Sequence, residues 1–360
     1  MFDSALEVLK KIEENGFKAY IVGGYPRDLY LNRKSADVDI CTNARPKDLT
    51  NIFPDTKINS IDYGCVIVKH NNIMFAVTTF RSDDTYLNHR NPVTIKYVND
   101  LLEDLKRRDF IINTLCIDSN GQTLDLLNAK YDINNKIIRV VGDTYKKIEE
   151  DALRILRALR FATILDFSLD EELIFAIKKY KNNLKHLSYF RKMEELDKIF
   201  SSPNNKKGIK LLKELGLEEV LDINLDINVT SASISIWAQI NNLMYPFSKA
   251  QREIITKINE LKNEDILDYN IIYKYGLYIV TLVGEIKGID KKDILLKYNE
   301  MQIHDKTELA IEPLEICEFL NIKPGYTLKY IIDELIENII NNRLINQKKF
   351  IKDYLKKYRK

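Results

Sequence analysis

The feature that constrains this chain most is a change of texture near residue 143. Upstream, short apolar runs such as Ala19-Tyr20-Ile21-Val22 are interspersed with a helical stretch and with Gly and Pro turns. Downstream, Gly and Pro become rare, and segment after segment shows helical patterning: 143–165, 170–182, 192–201, 206–215, 248–262 and 328–341. A period near 3.6 buries one stripe of a helix, whereas a period of 2 buries one face of a strand. The pattern predicts an α+β chain, a small mixed-sheet head followed by helices alone. At 360 residues the chain is long enough for two or three packed units. No internal repeat and no low-complexity linker divides them.

Within the head, apolar positions Phe2, Ala5, Leu6, Leu9 and Ile12 predict a helix over 2–14, stopped at Gly16. Ala19–Val22 reads as a buried strand running into the turn Gly23-Gly24-Tyr25-Pro26. Pro26 suits the first position of a following helix, where a missing N–H costs nothing. Ala36–Ile40 reads as a second strand. Cys65–Lys69 and Ile73–Phe80 read as a hairpin turning at His70-Asn71-Asn72.

Composition chiefly excludes. Hydrophobic residues at 45% and charged residues at 30% rule out a disordered or collagen-like chain. A net charge of +2 points to no partner, so only the placement of charge informs. No apolar run approaches the roughly 18–20 residues that cross a bilayer, and Met1-Phe2-Asp3 does not open a signal peptide, so a cytoplasmic protein without membrane contact is expected. Cys41, Cys65, Cys116 and Cys317 lack CxxC spacing and read as buried free thiols. His304-Asp305 resembles half of a metal-dependent phosphohydrolase doublet, but no further ligands stand nearby at a telling spacing.

Asp37-Val38-Asp39 is the first motif with chemistry in it. On a strand, residues i and i+2 share a face, so two carboxylates emerge together while Val38 turns to the core. Such a pair repels itself unless a cation neutralises it, and hard oxygen ligands beside substrate phosphates suit Mg²⁺. Alone, the triplet is as well explained by an exposed strand edge. Fourteen residues upstream, however, Gly23-Gly24 ends a strand and Arg27-Asp28 opens a helix. Glycines let backbone N–H groups approach a phosphate, a helix start is partly positive, and Arg27 offers a planar fork. Strand–GGxxR–helix–strand–DxD is a far more specific arrangement than either half.

The segment YIVGGYPRDLYLNRKSADVDICT resembles the opening motif of class II tRNA nucleotidyltransferases (CCA-adding enzymes) and bacterial poly(A) polymerases, within the polymerase-β-like superfamily. VTTFRSDDTYLNHRNP, DLKRRDFIINTL, EEDALRILRALRFA and FRKMEELDKIF continue the likeness in order, and LAIEPLEICEFLNIKPG resembles the tail of bacterial CCA-adding enzymes. The resemblance implies a nucleotidyltransferase head over 1–140, a base-recognising neck over 141–200, a body over 201–310 and an RNA-binding tail over 311–360. It implies template-independent addition of C, C and A to tRNA from CTP and ATP. Asp37 and Asp39 would hold two Mg²⁺ ions for phosphoryl transfer. Gly24 and Arg27 would meet the triphosphate, Arg108 the nucleotide, and Asp109 with Asn113 the ribose.

Asp151, Arg154, Arg157 and Arg160 recur every third residue, which on one helix winds an oblique row around its surface. The resemblance makes Asp151 and Arg154 the readers of the base edge. Cytosine and adenine both present an amine donor beside a ring-nitrogen acceptor, whereas uracil and guanine present the reverse. Arg157 and Arg160 would reach phosphates or a neighbouring domain, while Leu153, Leu156 and Leu159 supply an ordinary core.

Three positions depart from the family pattern: Ala76 where Glu is common, Asn88 for an expected Asp, and Thr114 for the usual Ala. Ala76 keeps open a catalytically weak RNA-binding homologue, beside an A-adding enzyme or a poly(A) polymerase. The loop with Tyr86, Arg90 and Pro92 speaks against a CC-only enzyme. Residues 343–360 carry eight Lys or Arg against one acid, Asp353, and fit either a solvated helix end or a contact to phosphates. A homodimer is among the assemblies open to the chain.

Overall fold

Gly16, at φ +84°, ends the first helix in the left-handed region where a side chain would be strained, and the chain turns directly into the head sheet. The computed structural model describes residues 1–35, 37–54, 57–60, 64–83, 86–87, 91–92 and 95–359. They divide into two compact units, Met1–Leu225 and Asp226–Lys360.

The first unit opens with α1 (Phe2–Glu14), β1 (Ala19–Val22), α2 (Gly24–Tyr30), β2 (Asp39–Thr42) and α3 (Pro46–Ile52). β3 (Lys57–Ser60), β4 (Cys65–His70) and β5 (Ile73–Thr79) follow. Short pieces complete the head: β6 (Arg81–Asp83), β7 (Tyr86–Leu87), β8 (Asn91–Pro92), β9 (Ile95–Tyr97), α4 (Leu101–Lys106), β10 (Cys116–Ile117), β11 (Thr123–Leu124), α5 (Ala129–Asn134) and β12 (Ile137–Ile138). The main sheet has seven strands in the order β11-β10-β1-β2-β5-β4-β3. Among the described residues of this sheet only β2 and β5 run parallel, pairing Asp39 with Ala76 and Ile40 with Val77, so the sheet is mixed as the sequence suggests. The β4–β5 turn at Asn71-Asn72 has both residues at positive φ, which matches the right-handed twist of a two-residue hairpin.

Alternation along the strands sorts the two faces. Ile21, Val38, Ile40, Val66, Val68, Phe75 and Val77 join Leu9 and Ile12 of α1 in the larger core. The opposite face carries Val22 and Cys41, covered by Phe80, Leu101, Leu105 and Cys116. Asp37 and Asp39 therefore leave on the side opposite Val38 and Ile40. Two expected boundaries shift: β2 begins at Asp39 rather than 36, and Pro26 is the third residue of α2, not the first. Asp37 and Val38 nevertheless keep the period-2 alternation, exposed then buried.

Helices then dominate: α6 (Thr144–Glu150), α7 (Leu153–Leu165), α8 (Glu171–Tyr180), α9 (Tyr189–Phe200), α10 (Asn205–Glu214) and α11 (Glu218–Leu221). The stretch 143–165 is not one helix. Asp151 adopts extended angles (φ −141°, ψ 98°), and its carboxylate accepts the Leu153 N–H at 3.0 Å, starting α7 afresh. Nor is the remainder wholly helical, because β13 (Ser168–Leu169) pairs in parallel with β12.

The second unit comprises α12 (Ser233–Ile240), α13 (Lys249–Glu260), α14 (Tyr269–Lys287), α15 (Lys291–Glu300), α16 (Pro313–Leu320), α17 (Tyr326–Ile340) and α18 (Lys348–Leu355). α14 is interrupted at Gly276, which takes φ +78°. The basic C-terminal stretch is part of a core: Ile351 and Leu355 of α18 are fully buried against Ile331, Leu335 and Ile339 of α17. Glu334 accepts hydrogen bonds from Lys357, Tyr354 and Tyr358, which pull its carboxyl down to about 2. His304 and Asp305 form local bonds, to Glu308 and Thr307. No cluster of three metal-ligating side chains occurs among the described residues. All four cysteines are free thiols, three buried and Cys65 half-buried. Among the described residues no helix is long and apolar enough to cross a membrane.

Candidate active site

Gly23 connects β1 to α2 at φ +85°, and a Cβ there would stand 3.4 Å from Asp39 Oδ2. The backbone angle is what calls for glycine there, since a side chain at that φ would be strained. The turn thus sets α2 beside the two carboxylates, and Arg27, one turn on, points into a cleft of about 560 Å³. All eleven residues singled out in the sequence line this cleft: Gly24, Arg27, Asp37, Asp39, Arg108, Asp109, Asn113, Asp151, Arg154, Arg157 and Arg160. Arg81 and Arg107 join them, so seven guanidiniums face four carboxylates. Such a field suits a polyanion.

Six of these arginines have side-chain or carbonyl partners. Arg27, almost fully buried, donates through Nε and Nη2 to Asp28 (3.0 and 2.8 Å) and through Nη1 to Asn113 Oδ1 (2.5 Å). Asp104 is wholly buried on α4, where it accepts from Arg107 Nε at 2.8 Å and Arg108 Nη2 at 2.9 Å. Burial alone would push its carboxyl up, but the two guanidiniums outweigh it and hold the group below its usual range. Arg157 donates to one oxygen, Asp109 Oδ2, through both Nε (2.7 Å) and Nη2 (2.5 Å), a pairing that lowers the Asp109 carboxyl despite burial. Arg160 pairs with Glu195 of α9 at 2.7 Å; burial pulls its guanidinium down, partly offset by Glu195.

The carboxylate pair behaves differently. Asp39 is pushed up by burial and by Asp37, with only Arg108 opposing. A carboxylate with raised proton affinity beside a second carboxylate is a donor set short of positive charge, the condition a hard divalent cation relieves. Ala76 stands directly beside Asp39 in the parallel β2–β5 register, so the position where the family commonly has Glu adjoins the carboxylates.

At the cleft's other side, Asp151 and Arg154 remain neighbours, with Nε 4.0 Å from Oδ2. They do so across the α6–α7 break rather than along one helix. Arg154 also donates to the Lys147 carbonyl at 2.6 Å and is 5% exposed. Arg157 and Arg160 follow it along α7 at the expected three-residue steps.

Several contributors had no role in the sequence reading. Asp104 precedes Arg107 and Arg108 by three and four residues, a helical ion-pair spacing that could have revealed it. Glu195 lies inside the FRKMEELDKIF motif without a role attached. Phe161 collects three guanidiniums about its ring: Arg160 at 4.3 Å, Arg27 at 5.3 Å and Arg157 at 5.6 Å. Of the loop over 83–92, Tyr86–Leu87 pairs with Asn91–Pro92, while Asn88 and Arg90 lie outside the described residues.

Comparison with known proteins identifies the family. The poly(A) polymerase head domain matches residues 19–139. An RNA- and SrmB-binding segment of polymerase A matches 166–222, and domain 2 of tRNA nucleotidyltransferases matches 244–355. The CCA-adding enzyme of Streptococcus uberis is 33% identical, over 96% of this chain and 94% of that protein. That of Lactococcus lactis subsp. cremoris is 34% identical, over 99% and 96%. The Bacillus stearothermophilus CCA-adding enzyme, solved in complex with CTP, superposes with a TM-score of 0.80 at 26% identity, covering 99% of this chain and 97% of that one. The Thermotoga maritima enzyme complexed with tRNA, at 17% identity and TM-score 0.71, shares the fold. Identity of about one third, sustained along nearly the whole of both chains, places this chain in the family of CCA-adding enzymes, the tRNA nucleotidyltransferases.

Proposed function

We propose that the chain adds C, C and A in turn to the 3′ end of tRNA, with CTP and ATP as donors. The observation that carries this reading is the single cleft in which seven arginines face two adjacent carboxylates, on a chain similar over its full length to CCA-adding enzymes. In the step, the RNA 3′-oxygen bonds to the α-phosphorus and the bond to the β-phosphate bridge breaks. Pyrophosphate leaves with the electron pair, and the hydroxyl proton passes to water. Asp37 and Asp39 would hold Mg²⁺, which when bound activates the hydroxyl and neutralises charge on the leaving group.

The remaining chemistry belongs to the chain's own groups. Gly24 and Arg27 receive the triphosphate, with Arg108 beside them. Asp109 has its oxygens taken by Arg157, Asn113 and the Phe110 N–H, so in this arrangement it holds Arg157 and Asn113 in place; a ribose contact requires that pairing to open. Asp151 accepts from the base amine and Arg154 donates to the ring nitrogen, so side chains act in place of a template. Arg157 and Arg160 complete the positive wall. The head, neck, body and tail divisions at 140, 200 and 310 belong to the same proposal, as does a cytoplasmic location.

The test supplies tRNA transcripts lacking all three nucleotides, lacking only A, or complete, with CTP and ATP separately and together in the presence of Mg²⁺. Addition of all three confirms the reading. Incorporation of A alone makes it an A-adding enzyme, a long A tract makes it a poly(A) polymerase, and no incorporation leaves an RNA-binding homologue.

A further inference from the structure

Among the described residues, Phe161 is the only apolar side chain that lines the arginine cleft. Its ring is half-buried on α7, and three guanidiniums surround it. Arg160 Cζ lies 4.3 Å from the ring centre, Arg27 Cζ 5.3 Å and Arg157 Cζ 5.6 Å. All three fall inside the roughly 6 Å over which a guanidinium is drawn to an aromatic quadrupole. Arg157 and Arg160 belong to α7 itself, whereas Arg27 arrives from α2. Phe110, fully buried next to Asp109, meets the ring edge-on, with centres 5.7 Å apart and planes at 78°, and so sets its tilt.

The simplest role for such a ring is filler between α7 and Phe110. The charges around it argue for more. Each of the three guanidiniums already has one acidic neighbour: Asp28 for Arg27, Asp109 for Arg157 and Glu195 for Arg160. A further carboxylate in place of the ring would also gather them, but it would cancel their field and compete with an incoming polyanion. An aliphatic side chain would fill the space without attracting them, and like charges would then spread apart. That repulsion is present: burial chiefly, and then the charges of Arg157 and Arg27, pull the Arg160 guanidinium below its usual value, with Glu195 and Asp109 opposing. An aromatic ring attracts all three and adds no net charge.

From this geometry we infer that Phe161 is a positioning residue for the polyphosphate of the incoming nucleotide: it gathers Arg27, Arg157 and Arg160 without neutralising them, so that they meet the phosphates as one donor set. The inference rests on the proposed nucleotidyl transfer and adds to it a residue that acts through its neighbours. Because the ring serves the part of the substrate that CTP and ATP share, its effect is blind to the base, unlike that of Asp151.

The test compares Phe161→Leu and Phe161→Tyr with the wild type. Equilibrium binding of CTP, ATP and inorganic pyrophosphate, each with Mg²⁺ and without RNA, should weaken alike in Phe161→Leu, by about tenfold. Phe161→Tyr keeps the ring and should stay within about twofold of the wild type. In turnover on tRNA ending before the first C, the loss should fall on KM for CTP, with kcat and the KM for tRNA changed by less than about twofold. Should Phe161→Leu not fold, Phe161→Met repeats the comparison. A second arm asks whether the ring acts through its neighbours: in an Arg160→Gln background the Phe161→Leu penalty on pyrophosphate affinity should shrink, because the nearest guanidinium is gone. An equal penalty in both backgrounds overturns the inference. So does a folded Phe161→Leu with a lowered melting temperature and unchanged pyrophosphate affinity, which makes the ring filler, or a loss confined to one nucleotide. If the wild type binds CTP and pyrophosphate yet adds nothing to RNA, the proposed function fails, and the affinities still decide the role of the ring.

Discussion

The arginines of the head cleft, gathered from positions 27 to 160, and the lysines of the C-terminal stretch, contiguous in sequence, are both concentrations of positive charge, yet the fold uses them in opposite ways. In the cleft, Arg154 is 5% exposed and Arg107 and Arg108 about one sixth exposed, and a buried carboxylate aims the latter two. In the tail, Lys348, Lys356 and Lys357 are 45–64% exposed and pair with partly exposed Glu315, Asp353 and Glu334, while the same segment inserts Ile351 and Leu355 into a core. A buried guanidinium has exchanged water for protein partners and is fixed in direction; an exposed ammonium keeps its water and its freedom. Charge density along the sequence therefore does not distinguish a site from a packed helix with a wet face. What distinguishes them is a buried partner.

The largest effect expected is on the cleft's carboxylates. Asp39→Ala should lower nucleotide addition by about a thousandfold or more, since it removes several kcal/mol of transition-state stabilisation. The melting temperature should stay level or rise slightly, because a carboxyl whose pKa is raised by burial and by Asp37 destabilises the ionised fold at neutral pH. Turnover near the wild-type rate with Asp37 intact would remove the metal-holding role.

Next comes the buried partner itself. Asp104→Ala leaves Arg107 and Arg108 in the protein without their carboxylate, and should cost about 3–5 kcal/mol of stability, read by denaturant titration. Because the Asp104 carboxyl is held below its usual value, its contribution is complete above the ordinary carboxylate range and fades as the pH falls through the lowered pKa. Wild type and variant should therefore converge on acidification. A variant as stable as the wild type at pH 7 would erase the contrast between the two basic regions.

How far the sequence discloses this contrast depends on range. The strands, the hairpin at Asn71-Asn72 and the DxD alternation are local, set by periods of two residues, and the structure follows them closely. The eleven cleft residues were legible through ordered motifs, which encode a spatial cluster that spacing alone does not. The sequence pattern puts Asp151 inside a helix because the apolar spacing of 143–165 runs straight through it, whereas in the structure its capping of a backbone N–H prevails locally. The Arg160–Glu195 pair joins residues 35 positions apart, and the Phe161 platform gathers Arg27 from 134 positions away, contacts set by tertiary packing. The tail's place in a core is hidden in the sequence, which fits a solvated helix end or a phosphate contact, because its lysines outnumber its apolar anchors, although Ile351 and Leu355 stand four apart, the spacing of one helix face.

Asp151→Ala should have a smaller and more selective effect. Toward CTP and ATP the variant loses a charge-assisted hydrogen bond, about 1.5–3 kcal/mol. Toward UTP it loses a repulsion between two acceptors, so discrimination falls by a similar amount. The measurement is kcat/KM for CTP, ATP and UTP on one tRNA. Equal losses for all three would make Asp151 only the residue that starts α7.

The smallest effect is expected in the tail, and it determines whether the tail's wet face has any role in binding RNA. Deleting residues 343–360 is the wrong experiment, because it strips Ile351 and Leu355 from their core and would unfold what it means to probe. Lys349→Gln with Lys352→Gln keeps those anchors, and neither lysine is among the buried residues of α18. The melting temperature should not move. If these ammonium groups meet backbone phosphates, tRNA affinity should fall about two- to threefold at low ionic strength, and the difference should vanish as salt rises, since counterion release is the only force removed. CTP affinity should be untouched in both conditions. An unchanged tRNA affinity at low salt would assign the tail's charge wholly to solubility and leave the arginine cleft as the region where positive charge does chemistry.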